Sequence, residues 1–132
     1  MIAATAHAGQ IDKTGAPYIL HPLRMMMRLE ATEAKIVAVL HDVVEDTEWT
    51  FEALATEGFS PAVLRALDCV TKREGEDYQT FVQRSAADPL ARQVKLMDLE
   101  DNMNLLRLEA VQDKDLERLR KYHQAWLLLR KA

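Results

Sequence analysis

The sequence predicts an all-α fold. Only four glycines and four prolines occur among 132 residues, whereas alanine, leucine, glutamate, arginine and methionine are abundant, and this balance favours helix over strand. Hydrophobic residues make up 48% of the chain, which is enough to build an apolar core. A chain of this length usually forms one domain, so we expect residues 1–132 to fold as a single unit.

Local signals place the helices of the first half. Residues 2–10 are helix-like and are followed by a loop that contains Pro17. Pro22 suits the first turn of a second helix that extends to about Glu30. Thr32 begins a third helix that is apolar almost all round, so we expect it in the middle of the fold. Its apolar positions are Ile36, Val37, Val39, Leu40, Val43 and Val44.

Capping residues mark the helices of the second half. Threonine, serine and aspartate side chains accept hydrogen bonds from the free N–H groups at a helix start, and proline suits the first turn. A last amphipathic helix follows a polar break near residues 112–114 and runs to the end. The other predicted helices begin at Thr50, Ser60–Pro61, Asp77 and Asp88–Pro89, and the first three end near Glu57, Thr71 and Ala87.

Charge and composition limit the class of protein. A net charge of −4 argues against binding to DNA or RNA through the overall electrostatic field. No apolar run approaches the roughly 20 residues of a membrane span, and the N-terminus lacks a signal-peptide pattern. The single cysteine, Cys69, favours a reducing compartment. We therefore expect a cytoplasmic protein that binds neither nucleic acid nor membrane, and the sequence leaves its oligomeric state open.

The most apolar predicted helix also carries charged groups. Residues four apart share a helix face, which would pair His41 with Glu45 and Asp42 with Asp46. Buried charges without partners are costly, so something must compensate them. An imidazole beside a carboxylate suits a divalent cation such as Mn²⁺, Fe²⁺ or Zn²⁺. The second pair would leave carboxylates free for acid–base chemistry.

Two adjacent ligands do not complete a coordination shell, so distant residues must contribute. His21 ends an apolar tripeptide directly before a proline, and Asp98 lies in a helix with mostly apolar neighbours. The alternative is that these polar groups are satisfied separately as ordinary core residues. We expect a metal site formed by His21, His41, Asp42 and Asp98, with a coordination position left for water.

A set of short motifs runs through roughly residues 3–108. They are Ala6–Gln10, Lys13 with Gly15, Pro17–Pro22, Leu40–Thr47, Val70–Lys72, Val94–Leu96, and Asp98 with Asn102. Together they resemble the HD-domain phosphohydrolases and, within that family, the (p)ppGpp hydrolase domain of the Rel/Spo enzymes. The resemblance implies an HD-type bundle of about eight helices, in which residues 1–132 form a small stand-alone hydrolase.

The resemblance also implies a reaction and its residues. The expected activity is metal-dependent removal of pyrophosphate from the 3′ position of (p)ppGpp, which leaves GDP or GTP. By resemblance, His21, His41, Asp42 and Asp98 match the metal ligands, usually of Mn²⁺, Glu45 and Asp46 the catalytic pair, and Asn102 a substrate contact. Further candidates for substrate binding are the basic residues Lys13, Arg24 and Lys95, and Tyr18 as a pocket wall.

Other interpretations stay open. Asp12 stands where the alarmone hydrolases usually have an arginine that packs against guanine, and residues 99–102 are more acidic than usual. Another nucleotide or phosphoester is therefore an alternative substrate. A non-catalytic HD module that binds metal or nucleotide is a second alternative, and a helical adaptor a third. Among single residues, the alternatives are a core or helix-end role for His7 and a core role for Tyr18. Glu45 and Asp46 could instead cap a helix near Thr47, and Lys13, Arg24 and Lys95 could be solvated charges.

Overall fold

A computed structural model describes residues 1–131 and confirms the all-α prediction. Nine α-helices and one 3-10 turn make up its regular structure, and no strand occurs within this range. Within it, none of the helices combines the length and apolar character needed to cross a bilayer. The helices are α1 Ile2–Ala6, α2 Leu20–Met27, α3 Thr32–Leu40, α4 Val43–Asp46, α5 Phe51–Thr56, α6 Pro61–Val70, α7 Tyr78–Ala87, α8 Pro89–Asn102 and α9 Asp113–Lys131, and the 3-10 turn is Leu105–Arg107.

Helix α3 lies at the centre of the bundle, as its apolar character predicted. It packs against α2, α6 and α8. Its side chains Ala34, Val37 and Ala38 have no exposed surface. They belong to the main apolar core, to which α2 contributes Met25 and α6 contributes Leu67. The central position of α3 brings its C-terminal end, with the charged residues that follow, into the interior of the protein.

The predicted capping residues begin their helices. Each cap accepts a hydrogen bond from the N–H group three residues further on, which would otherwise lack an acceptor in the first turn. The predicted ends of α5, α6 and α7 lie within one residue of the observed ends. The caps are Thr50, Ser60, Asp77 and Asp88, with donor–acceptor distances of 3.1, 3.2, 2.8 and 2.9 Å.

The helix predicted to continue through residues 41–46 is interrupted, so this prediction was wrong. Helix α3 ends at Leu40 and α4 begins at Val43. The side chain of His41 forms a hydrogen bond at this break: its Nδ1 donates to the Ala38 carbonyl oxygen at 2.7 Å. In a continuous helix that oxygen would accept from the N–H of Asp42. The predicted stacking of His41 on Glu45 is replaced by a turn that sets His41 beside Asp42.

The first two helices also differ from their predicted bounds. Helix α1 ends at Ala6, short of the predicted residue 10, because the chain turns at Gly9, whose φ of 81° favours glycine. Helix α2 begins at Leu20, before Pro22, and ends at Met27. The loop between them folds back so that the Tyr18 N–H donates to the Gln10 carbonyl oxygen at 2.9 Å. This contact holds the start of α2 close to the end of α1.

Helix α9 covers α7 and α8. It begins at Asp113, within the polar break predicted near residues 112–114. A second, smaller apolar cluster joins the three helices through Val82, Leu99, Ala125 and Leu129. The contact fixes α9 against the helix that carries Asp98.

We expect the Leu67→Ala substitution to lower the free energy of unfolding by about 2–5 kcal/mol, because Leu67 is fully buried and its removal leaves a cavity. The matched control is Leu106→Ala, since Leu106 is 92% exposed and should change stability by less than about 0.5 kcal/mol. Urea denaturation of both variants measures the difference. Equal effects of the two substitutions would contradict the described core.

Candidate metal centre

The four predicted metal ligands converge inside the bundle. His21 lies in the first turn of α2, His41 and Asp42 form the break between α3 and α4, and Asp98 lies in α8. The Nε2 atoms of His21 and His41 lie 2.9 and 3.5 Å from Asp98 Oδ1. The ligand atoms of His21, His41 and Asp42 all lie within 4.8 Å of one another. Asp98 completes the group through its contacts with the two rings.

Hydrogen bonds on the outer nitrogens orient both histidine rings. His21 Nδ1 donates to Asp101 Oδ2 at 2.6 Å, and His41 Nδ1 donates to the Ala38 carbonyl oxygen at 2.7 Å. A neutral ring with its hydrogen on Nδ1 presents a lone pair at Nε2. In its neutral form each ring therefore directs the Nε2 lone pair toward the centre of the group, which is the tautomer that a metal ligand needs.

The arrangement of these donors fits a divalent cation. The His41 Nε2 atom is buried, has no hydrogen-bond partner within residues 1–131, and lies 3.1 Å from Asp42 Oδ2. Lone pairs and carboxylates that face one another repel unless a proton or a cation lies between them. Two imidazole nitrogens with two carboxylates form a donor set suited to first-row divalent metals.

The same contacts shift the pKa values of the group. Burial alone lowers the pKa of His41, but Asp42 and Asp98 outweigh it and raise that pKa well above its usual value. Burial also lowers the pKa of His21, but its hydrogen bonds to Asp101 and Asp98 outweigh this effect, so the pKa of His21 is raised. Both rings are therefore proton acceptors, and protons compete with a cation for them.

Asp98 is the most heavily compensated carboxylate. It is 7% exposed, and Lys95 Nζ lies 2.8 Å from its Oδ2 atom. Burial would raise the pKa of Asp98, but Lys95 and the two histidine rings hold it well below its usual value. Asn102 Nδ2 also donates to Asp98 Oδ1 at 3.0 Å. Two of the predicted substrate contacts, Lys95 and Asn102, thus act directly on a predicted metal ligand.

Asp101 supports the site from behind, and the sequence analysis did not identify this role. Its carboxylate is buried and accepts from His21 and from Arg24, whose Nε and Nη2 atoms lie at 2.8 and 2.9 Å. Burial would raise the pKa of Asp101, but these two partners hold it far below its usual value. Arg24, a predicted phosphate contact, therefore binds Asp101. The spacing of three residues from Asp98 on one helix was the available signal.

Glu45 and Asp46 lie at the exposed side of the group. Ligand atoms of Asp42, Glu45 and Asp46 lie within 4.8 Å of one another. Glu45 Oε1 accepts from the N–H of Lys72 at 3.0 Å, which fixes it against the loop after α6. Burial and the negative charge of Asp42 raise the pKa of both Glu45 and Asp46. Carboxyl groups with raised pKa values accept and release protons closer to neutral pH.

A cleft of about 280 Å³ lies over the candidate metal centre, and we call it the metal cleft. Of the predicted contacts, Tyr18, Lys95 and Asn102 line it, and the Tyr18 hydroxyl donates a short hydrogen bond to Asp42 Oδ2. Burial and the charge of Asp42 raise the pKa of Tyr18, so it stays a donor. The lining residues that sequence reasoning missed come from the end of α6, the α6–α7 loop, α7 and α9: Val70, Lys72, Tyr78, Phe81, Lys121 and Tyr122.

Lys13 lies outside the metal cleft. It is exposed and lines neighbouring hollows on the α9 side. The adjacent Asp12, at the position expected to be arginine, turns its carboxylate back into its own loop. Its Oδ1 atom accepts from the Thr14 N–H, the Thr14 hydroxyl and the Ala16 N–H at 2.8, 2.6 and 3.1 Å. The Asp12 carboxylate thus stabilises the conformation of its own loop.

Sequence comparisons relate the chain to proteins of (p)ppGpp metabolism. A guanosine-3′,5′-bis(diphosphate) 3′-pyrophosphohydrolase of Aquifex aeolicus is 35% identical over 116 residues, which cover 79% of this chain and 16% of that protein. A probable GTP pyrophosphokinase of Mycobacterium leprae is 36% identical over 80% of this chain and 15% of its own length. The bifunctional (p)ppGpp synthase/hydrolase SpoT of Escherichia coli is 29% identical over 80% of this chain and 17% of its own length. The chain thus spans less than a fifth of the length of these relatives.

A solved structure shares the fold. It is described as a metazoan ortholog of SpoT that hydrolyzes ppGpp and plays a role in starvation responses. The match has a TM-score of 0.76 and 23% sequence identity, and covers 96% of this chain and 80% of that one. No family model matches the chain. The structural likeness establishes the helical architecture, and the sequence relatives establish homology to one segment of much longer proteins.

We expect Asp101→Asn to weaken the binding of a divalent cation roughly 10- to 100-fold, because the loss of an outer carboxylate frees the ring that it orients. The control is Glu100→Gln, which changes the neighbouring carboxylate that pairs with Arg28 on the surface. Titration of Mn²⁺ or Zn²⁺ against a chelating indicator gives both affinities. Unchanged affinity in Asp101→Asn would contradict the role of Asp101.

The raised histidine pKa values predict a pH dependence of stability in EDTA-treated protein. A group whose pKa is higher in the folded state stabilises fully below its unfolded pKa of about 6.5 and loses that contribution as the pH rises through the folded value. The carboxylates whose pKa values are lowered, Asp42 and Asp98, contribute constantly above about pH 4. We expect the free energy of unfolding to fall above about pH 6.5.

Replacement of His21 by glutamine should reduce this fall in stability, whereas His123→Gln, which alters an exposed ring on α9, should leave it unchanged. Urea denaturation across this pH range measures all three proteins. A flat profile for the wild-type protein would contradict the assignment.

Proposed function

Because this chain is homologous to one domain-sized segment of the Rel/Spo proteins of (p)ppGpp metabolism, we propose that it is a metal-dependent phosphohydrolase that acts on guanosine-3′,5′-bis(diphosphate). The reaction removes the 3′-diphosphate as pyrophosphate and leaves GDP, or GTP when the substrate carries a 5′-triphosphate. The proposal takes the reaction from the names of the relatives and its residues from the geometry of this chain.

One observation carries the proposal. The Nε2 atoms of His21 and His41 face the carboxylates of Asp42 and Asp98, directly beneath a cleft into which Glu45 also opens. Isolated buried histidines usually have ordinary hydrogen-bond partners on both nitrogens. Here His41 Nε2 has no such partner within residues 1–131, and His21 Nε2 lies 2.9 Å from the Asp98 carboxylate that His41 also faces.

The proposed cofactor is a divalent cation held by His21, His41, Asp42 and Asp98, with Mn²⁺ as the preferred ion. Such a cation would polarise a phosphoryl oxygen and lower the pKa of a bound water. The proposed location is the cytoplasm, and the free thiol of Cys69 agrees with a reducing compartment.

The side chains of this chain would perform the remaining tasks. Glu45 or Asp46 takes a proton from the attacking water, since both carboxyl groups have raised pKa values and lie at the open side of the group. Water oxygen bonds to the phosphorus next to the ribose, the bond from that phosphorus to the 3′ oxygen breaks, and the proton is passed to that oxygen. Lysine side chains that line the metal cleft offset phosphate charge.

A second candidate is hydrolysis of another nucleotide or phosphoester, and the conformation of Asp12 favours it. With its carboxylate bound inside the loop, Asp12 cannot offer the guanine-stacking guanidinium that the resemblance implies at this position. The metal chemistry of the two candidates is the same, and only the base contacts differ.

We expect Mn²⁺-loaded protein to release pyrophosphate from ppGpp, and Glu45→Gln to lower the rate by about 10²- to 10⁴-fold, because it removes a proton acceptor. Asp42→Ala should abolish turnover, because it removes a proposed ligand. The matched control is Glu48→Gln, an exposed glutamate three residues further on, which should retain the wild-type rate.

Equal pyrophosphate release by wild type, Glu45→Gln and Asp42→Ala would reject the mechanism. Metal-dependent turnover of a different nucleoside phosphate, with ppGpp left intact, would replace the first candidate by the second.

A further inference from the structure

Three hollows follow one another beside the first half of α9. The metal cleft shares Asn102 with a narrow pocket. The narrow pocket in turn shares six lining residues with a wider hollow of about 540 Å³, which we call the outer basic cleft. The narrow pocket therefore lies between the metal cleft and the outer basic cleft. The shared residues are Lys13, Thr14, Arg107, Leu108, Asp115 and Arg118.

The outer basic cleft carries an excess of positive charge on a protein whose net charge is −4. Two acidic side chains, Glu109 and Asp115, also line it. Asp115 is already engaged, because it accepts from the Gln112 N–H at 2.9 Å and from Arg118 Nη2 at 2.8 Å. The basic side chains that line the cleft are Lys13, Arg107, Lys114 and Arg118.

The two arginines of this cleft have unused donors. The Nε atoms of Arg107 and Arg118 are buried and have no hydrogen-bond partner within residues 1–131. Their terminal nitrogens are held in place, Arg107 Nη2 by the Asp101 carbonyl oxygen at 3.0 Å and Arg118 by Asp115. Both guanidinium groups line the cleft, and planar guanidinium groups are suited to the oxygens of a phosphate.

The charge environment of Lys13 agrees with an anion site. Partial desolvation lowers the pKa of Lys13, and the positive charges of Arg118 and Arg107 lower it further, against the opposing effects of Asp115 and Asp12. Lys13 therefore lies where positive charge is crowded. A bound anion would relieve this repulsion.

The narrow pocket between the two clefts has an apolar part. Leu105 begins the 3-10 turn, Leu108 directly follows it and Leu119 lies on α9, and all three line the pocket. The order along the surface is thus a metal-binding cleft, a partly apolar passage and a cationic cleft. A nucleotide with phosphate groups at both ends of its nucleoside matches this order, with phosphates at the two outer clefts and the nucleoside between them.

We propose that the outer basic cleft binds the phosphate groups at the end of the nucleotide remote from the metal. This inference rests on the proposed function, and for ppGpp it assigns the cleft to the 5′-phosphates. The cleft then selects substrates that are phosphorylated at both ends.

The test measures binding without turnover, by titration of GDP and of guanosine into EDTA-treated protein. We expect wild-type protein to bind GDP at least about tenfold more tightly than guanosine, because charge-assisted contacts to phosphate are strong. Arg107→Gln and Lys114→Gln should each reduce this preference several-fold. Lys114 is exposed and lines only the outer basic cleft, so its replacement leaves the packing of α9 intact. The matched control is Arg120→Gln, an exposed arginine of α9 that lines none of the three hollows.

Equal affinity of wild-type protein for GDP and guanosine would overturn the inference, as would an unchanged preference for GDP in both cleft variants. An equal loss in Arg120→Gln would also overturn it, because the effect would then reflect surface charge in general. Circular dichroism melting curves confirm that each variant is folded. Since the titration needs neither metal nor hydrolysis, its outcome is separate from the pyrophosphate assay, which tests the proposed function.

Discussion

The burial of the Asp98 carboxylate in an apolar bundle is the constraint on which the rest of the site depends. An ionised carboxylate in such surroundings requires several partners. Asp98 finds them in His21 of α2, in His41 at the end of α3, and in Lys95 and Asn102 of its own helix. Because these partners lie on three helices that also form the main core, the same packing that excludes water holds the polar group together.

Environment gives the acidic residues of the site different tasks. Asp101 is buried between His21 and Arg24, and these partners keep it ionised, so it can orient a ring but is unsuited to proton transfer. Glu45 and Asp46 lie at the exposed side, where the charge of Asp42 makes proton uptake easier. Asp101 belongs to the acidic stretch after Asp98, but its carboxylate faces α2. Its negative charge is therefore not directed at a phosphate substrate.

Local rules predicted the parts of the molecule that local interactions determine. The caps at Thr50, Ser60, Asp77 and Asp88 and the central position of α3 follow from side-chain chemistry and from apolar patterning over a few turns. The candidate ligands could be selected because charged groups in apolar contexts require compensation. The break after Leu40 was missed, because it depends on a side-chain bond from His41 that competes with the backbone.

The walls of the clefts depend on tertiary contacts, and these were the least predictable. Lys121 is exposed, and the packing of α9 on α7 and α8 brings it to the edge of the metal cleft, with its Nζ atom 4.4 Å from the centre of the Tyr78 ring. Arg24 was expected to contact phosphate, but its guanidinium group donates to the buried Asp101 carboxylate. Neither position has a signature within a few residues of sequence.

Helix α9 supplies walls for all three hollows, yet none of the four candidate ligands lies on it. The candidate metal ligands and much of the wall of the hollows are therefore encoded in different stretches of the polypeptide. Mutational drift along the outer surface of α9 can alter the choice of small molecule while the inherited chemistry near Asp98 persists. Such a division allows one ancestral scaffold to diversify in its ligands without a loss of reactivity at each step.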